Sequence, residues 1–91
     1  MFYLYCRNRV ADFERWRAVF ASHQAAHQQA GLSLVKLWRS VEQPNNVFFV
    51  FEVASPSKAS EFIRSPEATQ AGKASGVIDG EYHFLEDAGG Y

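Results

Sequence analysis

The sequence predicts an α+β fold built as β–α–β–β–α–β, with one four-stranded antiparallel sheet and the helices on one of its faces. Three observations carry this. A long run without Gly or Pro separates the first two apolar strands, a Pro-Asn-Asn turn joins the second to the third, and two Ser-Pro pairs precede the last. The 91 residues are one domain's worth of chain, residues 1–91, with 87–91 expected as a loose tail.

Residues 2–7 (FYLYCR) are rich in β-favouring aromatics and predict the first strand. Asp12 is placed to cap a helix over residues 13–30, in which Phe13, Trp16 and Phe20 recur at helical spacing and which Gly31 ends. Residues 32–41 (LSLVKLWRSV) alternate imperfectly and predict the second strand. In Gln43-Pro44-Asn45-Asn46, Pro fixes φ and Asn tolerates the left-handed region, so the chain turns there. Residues 47–53 (VFFVFEV) are almost continuously apolar, as expected of a central strand covered on both faces. Ser55-Pro56 and Ser65-Pro66 each read as an N-cap followed by Pro at the first helical position, giving helices over 56–64 and 66–75, with Gly76 closing the second. Residues 81–86 (EYHFLE) alternate and form the last strand.

Composition bounds the partners. Nine Lys and Arg against ten Asp and Glu leave a net charge of −1, which supplies no electrostatic footprint for nucleic acid or an anionic membrane. No apolar stretch approaches the roughly 18 residues of a membrane span, and the N-terminus lacks the pattern of a signal peptide. A single cysteine, Cys6, excludes an intramolecular disulfide, and a cytoplasmic location is expected. Aromatics make up 15% of the chain: eight Phe, four Tyr and two Trp. Fully buried, they would hide on the order of 3,000 Å². That surplus implies that both sheet faces are covered or that a cavity is lined. A second copy of the chain is the economical cover for the open face, so a homodimer is expected.

The element order is ferredoxin-like. With Asn8-Arg9 after the first strand, the hairpin VKLWRSVEQPNNVFFVFEV and the stretch SPSKASEFIRSPEA, the chain resembles the dimeric α+β barrel superfamily over its whole length. That group includes antibiotic biosynthesis monooxygenases, haem-degrading monooxygenases, and stress-responsive barrel proteins with their polyketide cyclases. The resemblance implies a dimeric α+β barrel and a monooxygenase-like or cyclase-like activity. Haem-degrading members pair an Asn after strand one with a strand-three Trp and an iron-binding His on the second helix. Asn8 matches the first. Strand three has Phe49 and Phe51 but no Trp, and residues 56–75 contain no His, so the resemblance does not extend to haem chemistry. No cofactor is expected.

His27 falls on the apolar stripe of the first helix, between Phe20 and Trp16 on the helical wheel, and His23 lies at its edge. As an inward-facing pair they are candidate catalytic residues, one acting as a base. The same spacing also suits packing or solvent exposure, and no third ligand marks a metal site. Asn8, Trp16, Trp38, Phe49 and Phe51 are the candidate ligand-binding residues, with Tyr3 and Tyr5 as further aromatic wall; core or dimer packing is the competing role. His83 alternates with Asp79 and Glu81 on what reads as a charged outer strand face, and Cys6 reads as a buried inert thiol.

Three functions fit these residues. The first is a cofactor-free monooxygenase, cyclase or isomerase acting on an aromatic small molecule held in an aromatic pocket. The second is a non-catalytic dimer that binds a ligand or only assembles. The third is RNA recognition, because RNA-recognition motifs share this element order. The slight negative charge and the missing basic and glycine residues of the strand-three signature argue against it.

Overall fold

The computed structural model describes residues 1–90. It contains β1 (Phe2–Val10), α1 (Phe13–Ser22), α2 (Gln24–Gln29), β2 (Leu32–Arg39), β3 (Asn46–Val53), α3 (Pro56–Ile63), α4 (Pro66–Ser75) and β4 (Val77–Glu86). The four strands form one sheet in the order β2-β3-β1-β4, with every neighbouring pair antiparallel. The two most aromatic strands are therefore central, as the sequence predicts.

Period-two alternation sorts the side chains. Leu4, Cys6 and Val10 of β1 and Val47, Phe49, Phe51 and Val53 of β3 turn to one face and are buried. Trp16, Leu32 and Ala59 close over them, and Phe13, Phe20, Phe62 and Ile63 pack around this core. Three of the four helices begin on a side-chain cap. The Asp12 carboxylate accepts from the Glu14 and Arg15 amides, the Ser55 hydroxyl from Lys58, and the Ser65 hydroxyl from Ala68. Gly76 ends α4 at φ 77°, a left-handed cap where a side chain would be strained.

Two expectations need correction. The first helical region is not one helix over residues 13–30, because it breaks at His23. The His23 amide bonds the Phe20 carbonyl at 3.1 Å, one residue short of the helical partner. The freed Val19 carbonyl is taken by the Ser22 hydroxyl at 2.6 Å and by His23 Nδ1 at 2.9 Å. Side chains have replaced a backbone bond, which bends the axis. The second correction is the length of the first and last strands. β1 continues to Val10 and β4 begins at Val77, so Asp79 and Gly80 are paired residues and not loop. Their poor strand propensity is overridden by partners on β1: Arg7 Nε donates to Glu81 at 2.9 Å and Arg9 Nε to Asp79 at 2.9 Å. Residues 87–90 follow without regular structure, and Tyr91 of the expected tail lies outside the described residues.

Candidate functional site

Between the helices and the buried sheet face lies a cavity of about 280 Å³. β1 contributes Leu4, Cys6 and Asn8, β3 contributes Phe49 and Phe51, and β4 contributes Gly80 and Tyr82. Trp16, Phe20, His23 and His27 enter from α1 and α2, and Phe62 from α3. Six of the seven candidate residues, Asn8, Trp16, His23, His27, Phe49 and Phe51, thus border one space.

Trp38 does not. It pairs with Phe48, whereas Phe49 pairs with Leu37 and Cys6. A one-residue difference along a strand reverses the face. Trp38, with Tyr3, Tyr5, Phe48 and Val50, belongs to the sheet face away from the helices. The expected wall of Trp38 beside Phe49 and Phe51 therefore divides into two aromatic sets, one on each face.

His27 stands among three rings. Its centroid lies 5.0 Å from Phe20, 5.2 Å from Phe51 and 5.7 Å from Phe62, the last edge-on at 85°. Among the described residues no protein group hydrogen-bonds its ring, and no buried side-chain nitrogen or oxygen is left without a partner. The imidazole is half-buried with its polar atoms open to the cavity. Burial, and secondarily the neighbouring His23, pushes its pKa below the ordinary value. His23 is differently placed: its Nδ1 is engaged with the Val19 carbonyl.

Asn8 is the second polar group on the helix-facing side of the sheet. With its amide oriented to satisfy its neighbours, its oxygen accepts from the Trp16 indole N–H at 3.2 Å and its nitrogen donates to the Arg7 carbonyl at 3.1 Å. Gly80 makes this possible. A Cβ there would lie 2.7 Å from both the Arg7 carbonyl oxygen and the Asn8 amide. Gly80 and Tyr82 are not among the sequence-predicted site residues. The signal was available for Tyr82, which lies opposite Cys6 and shares its face; Gly80 required the pairing itself.

The remaining charged candidates lie outside this space, except Glu81, which borders it. Arg7, Arg9, Asp79, Glu81 and His83 form an exposed network, with His83 Nε2 and Glu81 at 3.0 Å. Arg9 and then Arg7 hold Asp79 below the usual carboxylate range, and Arg7 and then His83 do the same for Glu81. Arg39 stacks 4.1 Å above the Phe13 ring and donates to the Pro44 carbonyl instead of ion-pairing across the hairpin. Cys6 is buried, and burial pushes its thiol up to about 12, which suits an inert thiol. Among the described residues no group of three His, Cys, Asp or Glu could hold a metal ion, and no helix is long and apolar enough to cross a membrane.

Solved structures share this arrangement. A protein from Bordetella bronchiseptica assigned as an antibiotic biosynthesis monooxygenase superposes with a TM-score of 0.76 at 17% identity, covering 96% of each chain. A variant of SnoaB, a cofactor-independent oxygenase from Streptomyces nogalater, gives 0.76 at 14% identity over 98% of this chain and 94% of its own. The fold is that of the antibiotic biosynthesis monooxygenase-like proteins. At these identities the likeness is one of fold, and this fold also occurs in a NIPSNAP domain protein from Burkholderia xenovorans (TM-score 0.68, 13% identity, 97% of this chain and 95% of that one). No protein-family model and no curated protein matches the sequence.

Proposed function

We propose that the chain binds a flat, ring-bearing small molecule in the cavity under its helices and oxidises it with dioxygen, using no cofactor, with His27 as the base. The observation that carries this reading is the His27 ring, half-buried among Phe20, Phe51 and Phe62, with no hydrogen-bond partner among the described residues. The ring nitrogens take their hydrogen-bond partners from outside the chain, and a ligand proton donor would supply one. The cavity volume lies near the low end of the roughly 300–1,000 Å³ of ligand sites, which suits two or three fused rings. SnoaB, a cofactor-independent oxygenase with the same fold, supports the reaction class.

In this scheme His27 removes a proton from a ring methylene made acidic by conjugation with a carbonyl across the ring. The carbanion passes electrons to dioxygen. One oxygen atom becomes a new ring carbonyl, and the other leaves as water with the two hydrogens lost from carbon. Anthrone and dioxygen going to anthraquinone and water is the balanced case. The aromatic walls orient the ring, and Asn8 holds Trp16 against it.

The test is dioxygen uptake with anthrone, corrected for its spontaneous oxidation. We expect uptake above the buffer rate, reduced about 100-fold by His27→Gln. No uptake above buffer overturns the oxygenase reading. Trp16 fluorescence quenching by anthrone without turnover would instead favour the non-catalytic binding protein.

The same proposal includes a homodimer. The sheet face away from the helices carries Trp38 at 45% exposure and Leu85 at 47%, beside Tyr5, Phe48 and Val50. The same face carries the network of Arg7, Glu81 and His83, and its apolar part is covered when two copies face each other.

A further inference from the structure

A second hollow, of about 430 Å³, lies beyond the His27 ring on the β2 side of the sheet. Arg17, Phe20, Gln24 and Gln28 recur along α1 and α2 at steps of three and four residues, so they form one stripe. That stripe faces Leu34 and Leu37 of β2 across the hollow. Phe20, His27, Leu32 and Phe51 border this space and the aromatic cavity alike, and so form the wall between them.

The two spaces differ in chemistry. The inner one holds more of the rings, with Trp16, Phe49, Phe62 and Tyr82 beside the shared Phe20 and Phe51. The outer one is floored by aliphatic side chains, with Leu34 left 47% exposed although it sits on the sheet face that the helices cover elsewhere. Apart from His27, Arg17 is its one ionisable lining residue among those described, and no described carboxylate lies within ion-pair distance of it. Gln24 and Gln28 add amide groups on the same rim.

An aliphatic floor beside an unpaired guanidinium is complementary to one class of small molecule. We infer that the outer hollow is a separate binding site for a medium-chain fatty acid, its alkyl chain lying on Leu34 and Leu37 and its carboxylate meeting Arg17. A guanidinium matches a carboxylate with two parallel hydrogen bonds, whereas an uncharged head would lose the charge-assisted part. The site does not require the aromatic cavity to be catalytic. The shared wall of Phe20, His27 and Phe51 does mean that a chain in the outer hollow would bear on the inner one.

Titration calorimetry with octanoate and its neutral analogue octanamide tests the inference. The wild-type protein should bind octanoate about fivefold more tightly than octanamide, the size expected of a solvent-exposed ion pair. Arg17→Gln should remove that preference and leave octanamide affinity unchanged. Leu34→Asp should abolish binding of both while the circular dichroism spectrum stays that of the wild type. Equal wild-type affinities, an acid preference that survives Arg17→Gln, or no octanoate binding would each overturn the fatty-acid site. None of these results bears on the ring-binding cavity, whose anthrone assay with His27→Gln stands or falls separately.

Discussion

The Asn8 amide oxygen and the Trp16 indole nitrogen lie 3.2 Å apart, joining the middle of β1 to the first turns of α1 inside the core. Trp16 is only 2% exposed, so no solvent can take the place of Asn8. One short polar side chain thereby fixes how the largest core residue meets the cavity.

Asn8→Ala is accordingly expected to leave the indole N–H buried and unpartnered. The expected loss of stability is about 1–3 kcal/mol by urea denaturation. In a Trp16→Phe background the same change should cost much less, because the donor is gone. Equal losses in the two backgrounds would show that the Asn8–Trp16 bond contributes nothing.

Gly80→Ala tests the close approach of β4. The added Cβ meets backbone and amide atoms at 2.7 Å, where something must shift. A destabilisation of about 1–3 kcal/mol is expected from such overpacking. Gly72→Ala is the control: it sits in α4 with nothing within 4 Å of the new Cβ and should be neutral or slightly stabilising. Equal stability of the two variants would contradict the packing described here.

His27 gives a pH dependence of definite sign. Its pKa is lowered in the folded protein, so below about 6.5 the unfolded chain binds the proton more readily. Its contribution is complete above that pH and is lost as the pH falls through the lowered folded value. Asp79 and Glu81, whose pKa values are lowered by their arginine partners, act with the same sign at more acid pH. Thermal melts from pH 7.5 down to 5 should therefore fall for the wild type and fall less for His27→Gln, with the two nearly equal in stability at neutral pH. Parallel profiles would mean that the His27 environment does not disfavour its charge.

The open sheet face is expected to mediate self-association. Phe48→Asp introduces a charge opposite Trp38 and beside Tyr5, 6.4 Å away between ring centroids. Sedimentation should show the wild type as a dimer at micromolar concentration and the variant as a monomer. A stable wild-type monomer would remove the dimer reading.

The sequence by itself determined the element order, both Ser-Pro helix starts, the Asp12 cap and the central place of β1 and β3. These are local matters: Ser, Asp and Pro act within four residues of themselves, and a continuous apolar run is buried wherever it lies. It also indicated that Trp16 and His27 turn inward, because the helical period fixes a side chain's direction relative to its neighbours. The break at His23 was also local, yet hidden, because it depends on which of two acceptors the His23 amide and ring choose. Only the tertiary structure decided that Trp38 and Phe49 face opposite ways, since that depends on the bulge between Leu34 and Lys36 and on the register of β2 against β3. It alone drew Asp79 and Gly80 into β4, through arginines some 70 residues earlier in the chain. It alone divided the space around His27 into an aromatic cavity and an aliphatic hollow. Side chains from four or more elements meet around each of these spaces, and no single segment carries that information.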